Sequence, residues 1–167
     1  MRKFQGFSLV ELMVVIAIIA TLASISLPLY GDFVTRAQVT ESLSLVNDLK
    51  SYVKDFHRHT GQFPKTNAEA GVPEPNKLIG IYVTQIELEN GAFHIQFGNR
   101  AHKALQGKIL TIQPVIVPDS PMSPFSWTGG FADPPSGMIS VGENRTDIDE
   151  KLLPYIMRNP RKDSSTN

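Results

Sequence analysis

Residues 7–31 read FSLVELMVVIAIIATLASISLPLYG, and the one side-chain carboxylate or ammonium among them is that of Glu11. From Leu12 to Tyr30 no charged side chain occurs. At 1.5 Å per residue, Phe7 to Tyr30 makes a helix roughly 36 Å long, enough to cross a hydrocarbon core of about 30 Å. The direct reading is a transmembrane helix over residues 7–31. A cleaved secretory signal competes with it, since Met1, Arg2 and Lys3 supply a positive start. Such a signal has an apolar stretch of about 7 to 15 residues and then a small-x-small cut. This run is longer and holds a carboxylate near its beginning. Glu11 needs a reason, because a carboxylate at membrane depth costs on the order of 2.5 to 3.5 kcal/mol on insertion scales. Either it lies at the interface and reaches headgroups, or another chain presents a cation at the same depth.

Working outward, Pro28 removes a backbone N–H and crowds the carbonyl of Ser24, which predicts a kink near residues 21–28. Beyond Gly31, Val39, Leu43, Val46, Leu49, Val53 and Phe56 recur at three or four residues, with Leu45 and Tyr52 beside them. That spacing predicts an amphipathic helix over 32–59 that continues the apolar one. Thr60-Gly61 and Pro64 stop it, and Gly and Pro punctuate residues 60–81 as an irregular loop. Tyr82 to Leu88 alternates at period two, Glu89-Asn90-Gly91 is a hairpin signal, and Ala92 to Phe97 alternates back. Lys108 to Val115 supplies a third strand and the stretch around Phe125 to Thr128 a fourth. The fold class is α+β: one long N-terminal helix on a roughly four-stranded antiparallel sheet over 82–128, closed by a C-terminal loop, 129–167.

The whole chain has 167 residues, one domain's worth with an appendage. Lys+Arg and Asp+Glu are both 16, so the net charge is +0 and the electrostatic footprint of a dedicated nucleic-acid reader is absent. With 0 Cys, disulfides, thiolate zinc sites, iron–sulfur clusters and a cysteine nucleophile are excluded. His57, His59, His94 and His102 follow no metal-ligand spacing of a known class. Asp147, Asp149 and Glu150 offer oxygens to Ca²⁺ but lack a glycine-punctuated ligand loop and read as a solvated turn. No Ser sits in a G-x-S-x-G elbow, so neither a catalytic site nor a cofactor site is visible. Lys50, Lys54, Arg58, Lys65, Arg100 and Lys103 could line a DNA-binding stripe, although matched acids favour ordinary solvated surface. Asn144-Arg145-Thr146 satisfies a glycosylation sequon, and Ser164-Ser165-Thr166 offers hydroxyls in the tail.

Lys3-Phe4-Gln5-Gly6 followed by Phe7-Ser8-Leu9-Val10-Glu11 and the apolar run resembles the class III signal of type IV pilins. The head, with its TGQFP at 60–64, AGVP at 70–73, the Asn90-Gly91 hairpin, FGN at 97–99, LQGKIL at 105–110 and the Trp127 strand, resembles type IVa pilins. The likeness covers nearly the whole chain. It implies that residues 1–6 are a leader, cut after Gly6 by a prepilin peptidase that also N-methylates Phe7. It implies too that Glu11 pairs with the Phe7 ammonium of a neighbouring subunit. Removing Arg2 and Lys3 from the 16 basic residues leaves 14 against 16 acidic, a net charge of −2.

By the same resemblance the chain is a major pilin, a non-catalytic structural subunit. It is single-pass in the bacterial inner membrane and then extracellular in a homopolymeric filament used for adhesion, twitching motility or DNA uptake. Its partners are copies of itself, membrane lipid, the peptidase, an inner-membrane assembly platform and an outer-membrane secretin, with DNA or a host surface further options. Two other readings are a minor or competence pilin, binding DNA or priming assembly, and a type II secretion pseudopilin. The chain departs from the family where a disulfide usually closes the C-terminal loop; Thr128 or Gly129 and Met157 stand near those positions. Packing of Phe131, Ile139, Leu152, Leu153 and Tyr155, with backbone hydrogen bonds, is expected to take its place.

Overall fold

The computed structural model describes residues 6–120 and 123–159. Arg2 and Lys3, and Ser164, Ser165 and Thr166, lie outside the described residues. Helix α1 spans Leu9–Thr60, 52 residues, so the apolar and amphipathic stretches form one element. Residues 1–34 and 35–167 form separate compact units, and α1 contributes to both.

In the first unit every large apolar side chain from Leu9 to Ile25 is exposed, the least so being Val15 at 48%. Pro28 does not end the helix: the helical backbone runs through it, while its side chain is outside the described set. Just before it, Thr21 Oγ1 donates to Ala17 O and Ser24 Oγ to Thr21 O, both at 2.8 Å. Such back-bonding of hydroxyls slightly destabilises and often bends helices.

In the second unit the expected stripe is buried at Val39, Val46, Leu49 and Val53. Leu43 and Phe56 are only partly covered, and Tyr52 is exposed. Thr35, Ser42 and His57 complete the buried face, three polar residues that an apolar template passes over. Ser42 solves its own polarity by donating to Val39 O at 2.6 Å.

The sheet runs β1 (Val83–Glu89), β2 (Ala92–Phe97), β3 (Ile109–Ile116) and β4 (Ser126–Gly129), antiparallel and in that spatial order. A two-residue strand that the sequence does not announce, β5 (Ile139–Ser140), pairs with the end of β3. Asn90 and Gly91 have φ of 49° and 85° between the paired residues Glu89 and Ala92, the type I′ geometry that an Asn-Gly hairpin favours. A side chain on Gly91 would also meet Phe63 at 2.9 Å. Phe93, Ile95, Phe97, Ile86, Leu88 and Leu110 carry the sheet's side of the core against α1.

The loop after α1 protects the free edge of β1. Asn67, at the start of α2 (Asn67–Ala70), accepts from Leu88 N at 2.7 Å and donates to Ile86 O at 3.2 Å and Pro73 O at 2.9 Å. Its side chain thus takes the place of a neighbouring strand, one of the ways an exposed ladder is blunted.

The C-terminal loop, lacking a disulfide, is stitched to β3. Ile109 N donates to Asp147 Oδ1 at 2.6 Å, Thr111 N to Thr146 Oγ1 at 3.0 Å and Arg145 N to Thr111 Oγ1 at 2.9 Å. Phe131 N donates to Met157 O at 2.8 Å, beside the positions where the bridge was expected. Leu152 and Leu153 are buried as anticipated, together with Ile148 and Met157. Ile139 and Tyr155, expected to pack, are instead 50% and 74% exposed. Ile139 sits in a two-residue strand and Tyr155 opens the turn Tyr155–Met157, which spends its inward direction on Met157.

Candidate assembly site

The N-terminal end of α1 brings Phe7, Ser8 and Glu11 together. Gly6, Phe7 and Ser8 precede the helix, and Phe7 is 84% exposed. Ser8 N and Ser8 Oγ both donate to Glu11 Oε2, at 2.8 and 2.9 Å, while Glu11 N donates to Ser8 Oγ at 3.2 Å. Ser8 is therefore the N-cap and Glu11 the third helical residue of a capping box, each satisfying a backbone donor that the helix leaves unpaired. A carboxylate at this end also opposes the positive pole of the helix dipole. Sequence reasoning about Glu11 as a membrane-depth charge misses Ser8, although S-x-x-E ahead of an apolar run is the local signature of the motif. Both hydrogen bonds fall on Oε2. A carboxylate has about four lone-pair positions, so Oε1 keeps its accepting capacity for a cation from outside.

Behind this end lies the apolar surface. Leu9, Val10, Leu12, Met13, Val14, Val15, Ile16, Ile18, Ile19, Leu22 and Ile25 are exposed on all sides of the helix. It is long and apolar enough to cross a membrane, and none of its span is buried. A helix that is hydrophobic all round belongs in lipid or among other helices.

The other candidate residues are occupied elsewhere. His57 lies between Phe63 and Phe125, with ring centroids at 4.4 and 5.2 Å, and burial lowers its pKa. His94 is buried with Nδ1 3.0 Å from Thr111 Oγ1, and its Nε2 has no hydrogen-bond partner among the described residues. His59 Nδ1 meets Asp55 O, and His102 Nδ1 accepts from Ala104 N. Among the described residues no three His, Asp or Glu side chains gather as metal ligands. Asp147 binds Ile109 N and Lys108, and Asp149 caps the turn Glu150–Leu152 through Lys151 N. The hydrogen bonds and charge of Lys151 hold the Asp149 carboxyl below its ordinary pKa. Asn144 spends its amide nitrogen on Gly130 O at 2.7 Å and accepts from Thr146 N, so the sequon is engaged as a local turn.

Arg58 pairs with Asp55 at 3.5 Å, and Lys50 stands over Trp127, 5.4 Å from the ring centre. Arg145, which no motif singles out, lies among Glu87 at 3.6 Å, Glu143 at 3.3 Å and Glu89.

Comparison with known proteins adds two family matches. The profile for pilin, a bacterial filament protein, matches residues 35–157. That for the prokaryotic N-terminal methylation motif matches residues 1–27. A fimbrial protein of Moraxella nonliquefaciens is 51% identical over 163 residues, covering 96% of this chain and 100% of that one. Type IV major pilin protein PilE1 of Neisseria gonorrhoeae is 34% identical over 160 residues, 92% of this chain and 87% of the relative. With the PilE of the same organism, 39% identical, the match runs over 109 residues, 65% of each chain and so just under two thirds of that relative.

Proposed function

Because the chain belongs to the pilin family of bacterial filament proteins, we propose that it is the major structural subunit of a type IV pilus. The observation that carries this reading is the uncovered apolar surface of α1 from Leu9 to Ile25. Lipid covers such a surface in a precursor; outside the membrane only other apolar helices can, and identical copies supply them. In this reading a prepilin peptidase cuts between Gly6 and Phe7 in the inner membrane, where the non-helical, exposed backbone suits a protease. N-methylation of Phe7 follows. The new ammonium of one subunit meets the Glu11 carboxylate of its neighbour through Oε1, which Ser8 leaves open. Thr21, Ser24 and Pro28 make residues 21–28 the stretch where α1 would bend to fit the polymer. An assembly platform and an outer-membrane secretin complete the route to the surface, with adhesion, twitching motility or DNA uptake as the tasks of the filament.

Mass spectrometry of fibres sheared from the cell surface tests the reading. The subunit should begin at N-methyl-Phe7, and Gly6→Val should remain uncut in the membrane and give no fibres. Fibres built of chains that still start at Met1, or a cell surface without fibres of this chain, would overturn it.

A further inference from the structure

Side chains alternate between the two faces of a strand, so His94, Thr111 and Gln113 lie on the face of the sheet opposite to Ile95, Leu110 and Ile112. They are nevertheless 3%, 1% and 7% exposed. What covers them is a strap, Gly142-Glu143-Asn144-Arg145-Thr146-Asp147, in which no side chain is apolar. A Cβ on Gly142 would meet that of Ala92 at 2.8 Å, so the strap runs close over β2. Gln113 Nε2 donates to Gly142 O at 2.7 Å, and Arg145 N donates to Thr111 Oγ1 at 2.9 Å. Thr111 N and Ile109 N donate in turn to Thr146 Oγ1 and Asp147 Oδ1. Only at Ile148, 2% exposed, does the chain re-enter the core. A segment held by hydrogen bonds and charges alone opens more readily than the core beneath it.

The strand register sets Glu87 beside His94 and His94 beside Thr111, so a titratable ring stands in the middle of the covered row. Its Nδ1 lies 3.0 Å from Thr111 Oγ1. That oxygen already accepts from Arg145 N, and the acceptor within reach of its own proton is Nδ1. This bonding pattern assigns the neutral ring its proton on Nε2. Nε2 has no hydrogen-bond partner among the described residues and is 3.9 Å from Glu89 Oε2. Glu89 is itself paired with Arg145, whose guanidinium also meets Glu87 at 3.6 Å and Glu143 at 3.3 Å. The charged groups around the ring are thus Glu87 and Glu89 from β1 and Glu143 and Arg145 from the strap. A second proton, on Nδ1, turns the Thr111 hydroxyl from donor to acceptor and strands its proton at a buried site. The same proton sets a cation beside Arg145 and gives Nε2–H a charge-assisted bond to Glu89, the carboxylate that Arg145 otherwise holds.

We propose that His94 is an acid-sensitive catch: a proton on its ring loosens residues 142–147 from the sheet while the core beneath stays folded. Burial, and then the charge of Arg145, keep the ring's pKa below 6.5 in the closed state, against the pull of Glu89, Glu87 and Glu143. With the strap lifted, water reaches the ring and its proton affinity returns to the ordinary one, so opening takes up a proton. The strap is fully closed above pH 6.5 and opens progressively below it. The catch belongs to the head alone and does not depend on the filament role given above.

Amide exchange of the full chain in detergent at pH 7 and pH 5, corrected for the intrinsic pH dependence of exchange, tests it. Uptake of one proton raises the opened population by at most about 25-fold over that interval, so protection at Ile109, Thr111 and Arg145 should fall by roughly tenfold. Leu88 N–H, which Asn67 holds on the outer edge of β1, should keep its protection. In His94→Gln the ratio of protection at the two pH values should be close to one, whatever its level at pH 7. Equal protection of the parent at both pH values, an unchanged ratio in His94→Gln, or an equal fall at Leu88 would each overturn the catch. If His94→Gln does not fold, the parent decides: a fall confined to the three strap-held amides supports the catch, and any other pattern overturns it.

Discussion

The two halves of α1 are made of similar residues and have opposite fates. Val39, Val46, Leu49 and Val53 are buried against a sheet that the same chain provides, while Leu9 to Ile25 carry more branched apolar side chains than that and bury none of them. The second half is apolar on one stripe and polar elsewhere, so a single sheet completes it. The first is apolar all round, and no single face-to-face contact could. Helical periodicity tells which half finds its cover within the molecule and which must find it outside.

That contrast can be broken by deletions of equal size. Leu153→Ala removes a fully buried side chain and should lower the stability of the head by about 2 to 5 kcal/mol, read as the midpoint of chemical denaturation in detergent. Leu12→Ala should leave the same midpoint unchanged. A loss from Leu12→Ala equal to that from Leu153→Ala would mean that the first half of α1 also belongs to the core.

A smaller effect distinguishes the halves by pH, because buried histidines occur only in the second. Burial, and then the charge of Arg145, depress the pKa of His94 below 6.5, against the pull of Glu89, Glu87 and Glu143; burial depresses that of His57. The unfolded chain therefore binds more protons as the pH falls below 6.5, and stability declines with it until the folded histidines titrate. Their contribution is complete above pH 6.5. His94→Gln should flatten this acid slope, measured as urea midpoints between pH 7 and 5; an unchanged slope would remove His94 from the account.

Smaller again is the cap. Ser8→Ala should weaken the first turn of α1 by about 1 kcal/mol, which appears as roughly fivefold faster amide exchange at Glu11, whose N–H donates to Ser8 Oγ, in detergent, with the head unaffected. Exchange at the parent rate would show that Ser8 contributes nothing there.

Much of this was legible in the sequence because it is local. The alternation of Ala92 to Phe97, the Asn90-Gly91 turn and the spacing of Val39 to Val53 each specify their element within a few residues. The Ser8–Glu11 box is equally local and is found once S-x-x-E is read as a cap. What periodicity could not supply depends on distant partners. His57 is buried because Phe63 and Phe125 enclose it, Asn67 because β1 offers it unpaired backbone groups, and Arg145 because β1 carries two glutamates. The exposure of Tyr155 and Ile156 is likewise invisible to hydropathy, since the buried Leu153 and Met157 beside them are just as apolar.

The central claim is that the cover of the apolar half comes from other subunits and that Glu11 is the polar contact which sets their register. Electron microscopy of cells whose sole pilin is Glu11→Leu tests it most directly. If Glu11 only reached headgroups, removing it would ease insertion and fibres would form as in the parent. With pairing, the Phe7 ammonium is left alone in an apolar core, at several kcal/mol per subunit. The account predicts a chain that is expressed, inserted and cut at Gly6 yet yields few or no surface fibres, and a parental yield of fibres would contradict it.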